Sequence, residues 1–128
     1  MNYLLDTHIM LWWLDNSSRL EKRWRKIIED PNHSIYISSA VFWEISIKNR
    51  IGKLPLPFDP FKDLEAVVQQ SQFEIMPMMP NHSLLAGSWA IAHRDPFDRM
   101  LAAQSKIENM PLISNDLEFK NFKIELVN

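Results

Sequence analysis

The sequence contains no cysteine, so neither a disulfide nor a thiolate metal site can form, and any metal must be held by oxygen or imidazole. The same lack fits a reducing cytoplasm. Glycine is nearly as scarce: Gly52 and Gly87 are the only two, and they build no phosphate-cradling loop, which removes the nucleotide-binding fingerprints. No apolar run approaches the roughly 20 residues that cross a bilayer. No basic segment precedes the first apolar stretch, and Asp6 interrupts that stretch, so a secretory leader is not expected. A net charge of −2 gives no global attraction for nucleic acid.

What is present describes an ordinary folding chain. Its 128 residues are 46% hydrophobic and 23% charged, which suits one domain spanning residues 1–128 with a core of its own. The charge is unevenly spread. Arg19, Lys22, Arg23, Arg25 and Lys26 stand against Glu21 alone, a cluster that by itself reads as the solvated side of a helix.

Short apolar runs closed by turn residues alternate with helical spacings. Tyr3-Leu4-Leu5 predicts a strand stopping at Asp6, and Ile9 to Leu14 a helix. Leu20, Trp24, Ile27 and Ile28 predict a helix over 19–29, ended by Asp30-Pro31-Asn32. Ile35 to Ile37 is a second strand. Ser39 is placed to cap a helix over 40–50 that is apolar almost all round and therefore expected to be buried. A proline-rich connection leads to a helix over 61–70, a strand over 73–76 and a helix over 81–92. Asp95 suits an N-cap, Pro96 the first helical position and Asp98 the third, opening a helix to Asn109. Leu112-Ile113 is a fourth strand, residues 117–120 a short helix after Asp116, and residues 123–127 a fifth, edge strand. This alternation specifies an α/β fold with a parallel sheet and helices on both faces.

In such a sheet the strand ends carrying Asp6 and Asp116 lie on one edge, where open α/β sheets bind ligands. Asp98, in the first turn of its helix, reaches that edge, and Glu44 has the length to reach back to it. Three acids also have a plain structural account: Glu44 an i,i+4 pair with Lys48, Asp95 and Asp116 helix caps. Brought together they are costly, since two carboxylates ~4 Å apart repel by about 4 kcal/mol at an effective dielectric near 20. A divalent cation removes that cost, and oxygen-only ligands suit Mg²⁺ or Mn²⁺. A centre of this kind, with no protein nucleophile, fits phosphodiester hydrolysis, with Thr7 or Ser114 hydrogen-bonding a water or a carboxylate beside the metal. His8, His33, His82 and His93 show no paired metal spacing, His33 and His82 reading as surface residues of loops. No nucleophile elbow is visible.

These residues resemble the PIN-domain family, and within it the VapC-type toxins of bacterial toxin–antitoxin pairs, along essentially the whole chain. The likeness is carried by Leu4-Leu5-Asp6-Thr7-His8 with Leu11-Trp12-Trp13, by Ser39 to Ile45, by Ile51 to Leu56, by His93 to Gln104, and by Leu112 to Asp116. It implies a three-layer α/β/α sandwich around a mostly parallel sheet of four or five strands. It makes Asp6, Glu44 and Asp98 the main metal-site acids and Asp116 a fourth, more variable one, with Asp95 a cap or supporting residue. Ser114 matches the family's Ser/Thr two positions before the fourth acid. The implied activity is Mg²⁺- or Mn²⁺-dependent endoribonuclease, cutting single-stranded or looped RNA. Members are commonly homodimers, held inactive by a small antitoxin whose C-terminal segment wraps the toxin.

With that resemblance, Lys48, Arg94 and Arg99, and Arg23 and Lys26 of the basic cluster, become candidate contacts to RNA phosphates. Two other classes remain. One is the same fold as a non-catalytic RNA- or protein-binding regulator, against which four intact acids stand. The other is a receiver-like phosphoacceptor, which lacks here a paired acid beside Asp6 and a lysine at a later strand end.

Overall fold

The computed structural model describes residues 1–128. Five strands, β1 (Asn2–Leu5), β2 (Ser34–Ser38), β3 (Glu74–Met76), β4 (Leu112–Ile113) and β5 (Leu126–Val127), form one wholly parallel sheet in the order β3-β2-β1-β4-β5. The flanking layers of the α/β/α sandwich are α1 (Thr7–Leu14), α2 (Lys22–Glu29), α3 (Ser39–Arg50), α4 (Pro60–Gln70), α5 (Pro80–Ser88), α6 (Pro96–Glu108) and a 3₁₀ helix (Leu117–Phe122).

β1 takes the centre because its apolar run suits burial on both faces, as a parallel sheet covered by helices requires. Leu4, Leu5, Leu112 and Ile113 have no exposed surface, and the register pairs Leu4 with Leu112 and Leu5 with Ile113. From β1 the chain runs out through β2 and β3, then crosses back to β4 and β5 on the other side. The strand order therefore reverses between β1 and β4. The crevice at their carboxyl ends is the topological switch point, where open α/β sheets place ligands.

Several local expectations are corrected. The basic helix begins at Lys22 rather than Arg19, which leaves Arg19 in the preceding turn. Ser38, not Ser39, caps α3, its hydroxyl accepting from the Ala40 amide at 3.0 Å, while the Ser39 hydroxyl accepts from the Met78 amide at 3.1 Å. α3 is not buried all round: Trp43 is 54% exposed and meets Phe97 edge-on with ring centroids 5.1 Å apart. α5 stops at Ser88 instead of continuing to residue 92, because the Arg99 side chain takes up carbonyls of the segment beyond it. His82 is a buried residue of α5, not a surface loop residue; its Nδ1 accepts from the Met79 amide at 3.0 Å and its Nε2 lies 2.9 Å from Glu108 Oε2.

Candidate active site

Asp6 ends β1 and caps α1. Its Oδ1 accepts from the Thr7 amide and its Oδ2 from the Ser114 hydroxyl, both at 2.7 Å. The side chain is buried, and that burial pushes its pKa above the ordinary aspartate value; the bonds from Ser114 and Thr7 oppose the rise and the charge of Glu44 adds to it. Glu44 projects from α3 and is buried too. The Thr7 hydroxyl donates to its Oε1 and Lys48 Nζ to its Oε2, each at 2.5 Å. The local pair with Lys48 is thus formed, and it raises the Lys48 pKa, chiefly through that hydrogen bond.

Asp98 stands in the first turn of α6, where Asp95 caps the helix by accepting from the Phe97 and Asp98 amides at 2.9 and 3.3 Å. Asp98 Oδ2 lies 3.0 Å from His93 Nε2. Burial pushes its pKa up to about 7, with His93 opposing and the charges of Asp95 and Asp6 contributing. Asp116 caps the 3₁₀ helix, Oδ1 accepting from the Glu118 amide at 3.0 Å, and its own amide donates to the Ser114 hydroxyl at 3.0 Å. Ser114 therefore joins Asp6 to the backbone of Asp116.

One cavity of about 530 Å³ gathers Asp6, Glu44, Asp98 and Asp116, with Asp95, Lys48, His8, Trp12, Arg19 and Asn115 completing its lining. Thr7 and Ser114 lie behind it, bonded to its carboxylates. The other basic candidates are elsewhere. Arg94 is exposed and outside the lining; Arg23 is exposed and paired with Glu21 at 2.8 Å; Lys26 is exposed on α2. Arg99 donates to the carbonyls of Ala86, Trp89, Ile91 and His93 at 2.7, 2.5, 2.9 and 2.8 Å, so its guanidinium is committed to the protein's own backbone.

Sequence reasoning missed Arg19, Trp12, His8 and His93 as neighbours of the acids. For His8 and Trp12 a signal existed: four residues apart on the helix that Asp6 caps, they share its face. His93 belongs to irregular chain, so no helical or strand period placed it beside Asp98, although it opens the His93 to Gln104 block that carries the family likeness.

As the side chains stand, no three of the histidines, aspartates and glutamates are spaced to hold a metal ion, and Glu44 is paired with Lys48. The donor chemistry fits a hard cation nonetheless. Five carboxylates line the cavity against Arg19 and Lys48, and burial, with the neighbouring carboxylates adding to it, raises the pKa values of Asp6 and Asp98.

The PIN domain family matches residues 3–125. The chain belongs to that family. PIN domains are typically nucleases and commonly bind Mg²⁺. Among solved structures this PIN domain is similar to VapBC2 from Rickettsia felis bound to a DNA fragment from their promoter, at 21% identity and a TM-score of 0.71, covering 100% of this chain and 98% of that one. It is similar to FitAcB from Neisseria gonorrhoeae at 20% identity and a TM-score of 0.67, covering 100% and 97%. A toxin–antitoxin complex from Klebsiella pneumoniae follows at 12% identity and a TM-score of 0.64, covering 98% and 96%. At such identities the likeness is one of fold. No curated protein matches the sequence.

Proposed function

We propose that this PIN domain is a Mg²⁺- or Mn²⁺-dependent endoribonuclease toxin that hydrolyses RNA phosphodiester bonds and is neutralised by a small cognate antitoxin. The reading rests on one observation: Asp6, Glu44, Asp98 and Asp116, distant in sequence, line a single cavity at the switch point of the sheet. Asp6, Glu44 and Asp98, with Asp116 as a fourth, are the residues that would hold the metal. When bound, the metal supplies a water of lowered pKa and neutralises charge on the phosphate and the leaving oxygen.

The chain's own groups prepare that site. The Thr7 amide and the Ser114 hydroxyl fix the two oxygens of Asp6, the Thr7 hydroxyl fixes one of Glu44, and His93 fixes one of Asp98. Such bonds orient carboxylates before a ligand arrives, which removes reorganisation from the reaction. Similarity to VapC and FitB toxins of toxin–antitoxin complexes supports an antitoxin-type partner. Exposed Trp43, Met79 and Leu84 support pairing of two copies. No helix is long and apolar enough to cross a membrane. The cysteine-free sequence and the proposed RNA substrate support a cytoplasmic location.

The test is cleavage of RNA by the purified chain with Mg²⁺ or Mn²⁺, stopped by EDTA and abolished in Asp6→Asn with the melting temperature retained. A second reading, a binding regulator without turnover, is favoured by the Glu44–Lys48 pair and the absence of a ready three-ligand set. It prevails if the wild type binds RNA but never cuts it with metal in excess.

A further inference from the structure

We infer that Trp12 and Arg19 form an RNA grip at the mouth of the acidic cavity, Trp12 stacking an unpaired base and Arg19 holding the adjoining phosphate. The inference rests on the nuclease reading and names how its substrate is held. Trp12 is the one hydrophobic residue among the ten that line the acidic cavity. With His8 and Arg19 it also lines a second cavity of about 410 Å³, whose other walls include Leu11, Leu54, Leu56 and Phe58. These three side chains are therefore the boundary between a carboxylate-rich chamber and an apolar one.

The Trp12 ring is held in place. It lies near-parallel to buried Trp24, with centroids 6.4 Å apart and 23° between planes, and His8 flanks it at 6.0 Å. A fixed aromatic surface loses little entropy on stacking a base, and stacking tolerates any base because each has a π-face. Arg19 supplies the charge. It is exposed, and its guanidinium makes no ion pair or hydrogen bond although five carboxylates line the same cavity. The cavity's other permanent cation, Lys48, is held by Glu44. An unengaged guanidinium beside a fixed aromatic ring matches a nucleotide: phosphate on one, base on the other. A base bound this way must be out of a duplex, so the grip selects single-stranded RNA.

The experiment uses the full chain carrying Asp98→Asn to silence cleavage, with Mg²⁺ and a fluorescein-labelled single-stranded RNA of mixed sequence, read by anisotropy. Trp12→Ala and Arg19→Ala are each expected to weaken binding about tenfold or more. Trp12→Phe should stay within about threefold of the parent, and Arg19→Ala should lower the salt slope by about one. A hairpin duplex should bind more weakly and ignore Trp12→Ala. The inference is overturned if Arg19→Ala or Trp12→Ala binds like the parent, if Trp12→Phe binds as poorly as Trp12→Ala, or if the substitutions weaken only capture of a partner peptide. Cleaving wild-type protein with indifferent variants sinks the grip alone. Trp12-dependent binding by a wild type that never cuts sinks the nuclease reading and leaves the grip.

Discussion

The Ser114 hydroxyl donates to Asp6 Oδ2 at 2.7 Å, joining two strand ends 108 residues apart across the β1–β4 boundary. The Ser114 hydroxyl oxygen also accepts from the Asp116 amide, so one hydroxyl sets the spacing of two candidate metal-site acids. Ser114→Ala should lower metal-dependent cleavage about 10- to 100-fold, as losing the support of a metal ligand typically does. Its effect on stability should be only about 1 kcal/mol, that of one hydrogen bond. Ser114→Thr should keep most of the activity. Cleavage rates and denaturant melts on the three proteins check this; equal activity in Ser114→Ala would remove the support role.

Asp6 and Asp98 give the metal-free fold a definite pH dependence. Burial raises both carboxyls, Asp98 to about 7 from an ordinary 3.8. Between those values the folded chain keeps a proton that the unfolded chain has released. Stability from these groups is therefore fully present below the ordinary aspartate range and is lost as pH rises to about 7. In EDTA the melting temperature should fall from about pH 5 to about pH 8, and saturating Mg²⁺ should raise it more at the higher pH. Calorimetric scans with and without metal decide it; a flat pH response in EDTA would contradict the burial of these acids.

Lys48 neutralises buried Glu44 in the metal-free protein. Lys48→Met should destabilise that form by about 1–2 kcal/mol, less than the about 3–5 of a fully buried pair because Lys48 is itself 37% exposed. A cation competing for Glu44 would be gone, so Mg²⁺ should raise the melting temperature of Lys48→Met more than that of the wild type. Adding Glu44→Gln should recover part of the lost stability and cancel the extra metal response. Thermal melts of the four combinations test both halves.

The sheet was legible from Tyr3-Leu4-Leu5, Ile35 to Ile37 and Leu112-Ile113, because buried parallel strands write themselves as unbroken apolar runs. The acids were legible as a group because three of the four follow from element ends: Asp6 and Asp116 leave strands, and Asp98 opens a helix. What escaped depends on side-chain reach rather than period. Whether Ser38 or Ser39 caps α3 turns on one residue of strand length, and both are serines. Trp43 shares its helix with buried Val41 and Ile45, so the composition alone could not set it facing outward. Residues 89–95 carry no period at all, and their course is fixed by a side chain further along the chain.

That side chain, Arg99, separates a phosphate-binding role from a structural one. Four guanidinium N–H groups meet the carbonyls of Ala86, Trp89, Ile91 and His93, closing the end of α5 and the irregular segment onto α6. A lysine cannot reproduce that fork, since its donors radiate from one nitrogen. Arg99→Lys should cost about 3 kcal/mol through carbonyls left without donors, and limited proteolysis should then cut near residues 89–95. Cleavage should fall as well, because His93, which holds Asp98, sits in the loosened segment. Lower melting temperature and faster proteolysis, with RNA affinity of the remaining folded protein unchanged, is the expected result. Unaltered melting with weakened RNA binding would return Arg99 to the substrate side.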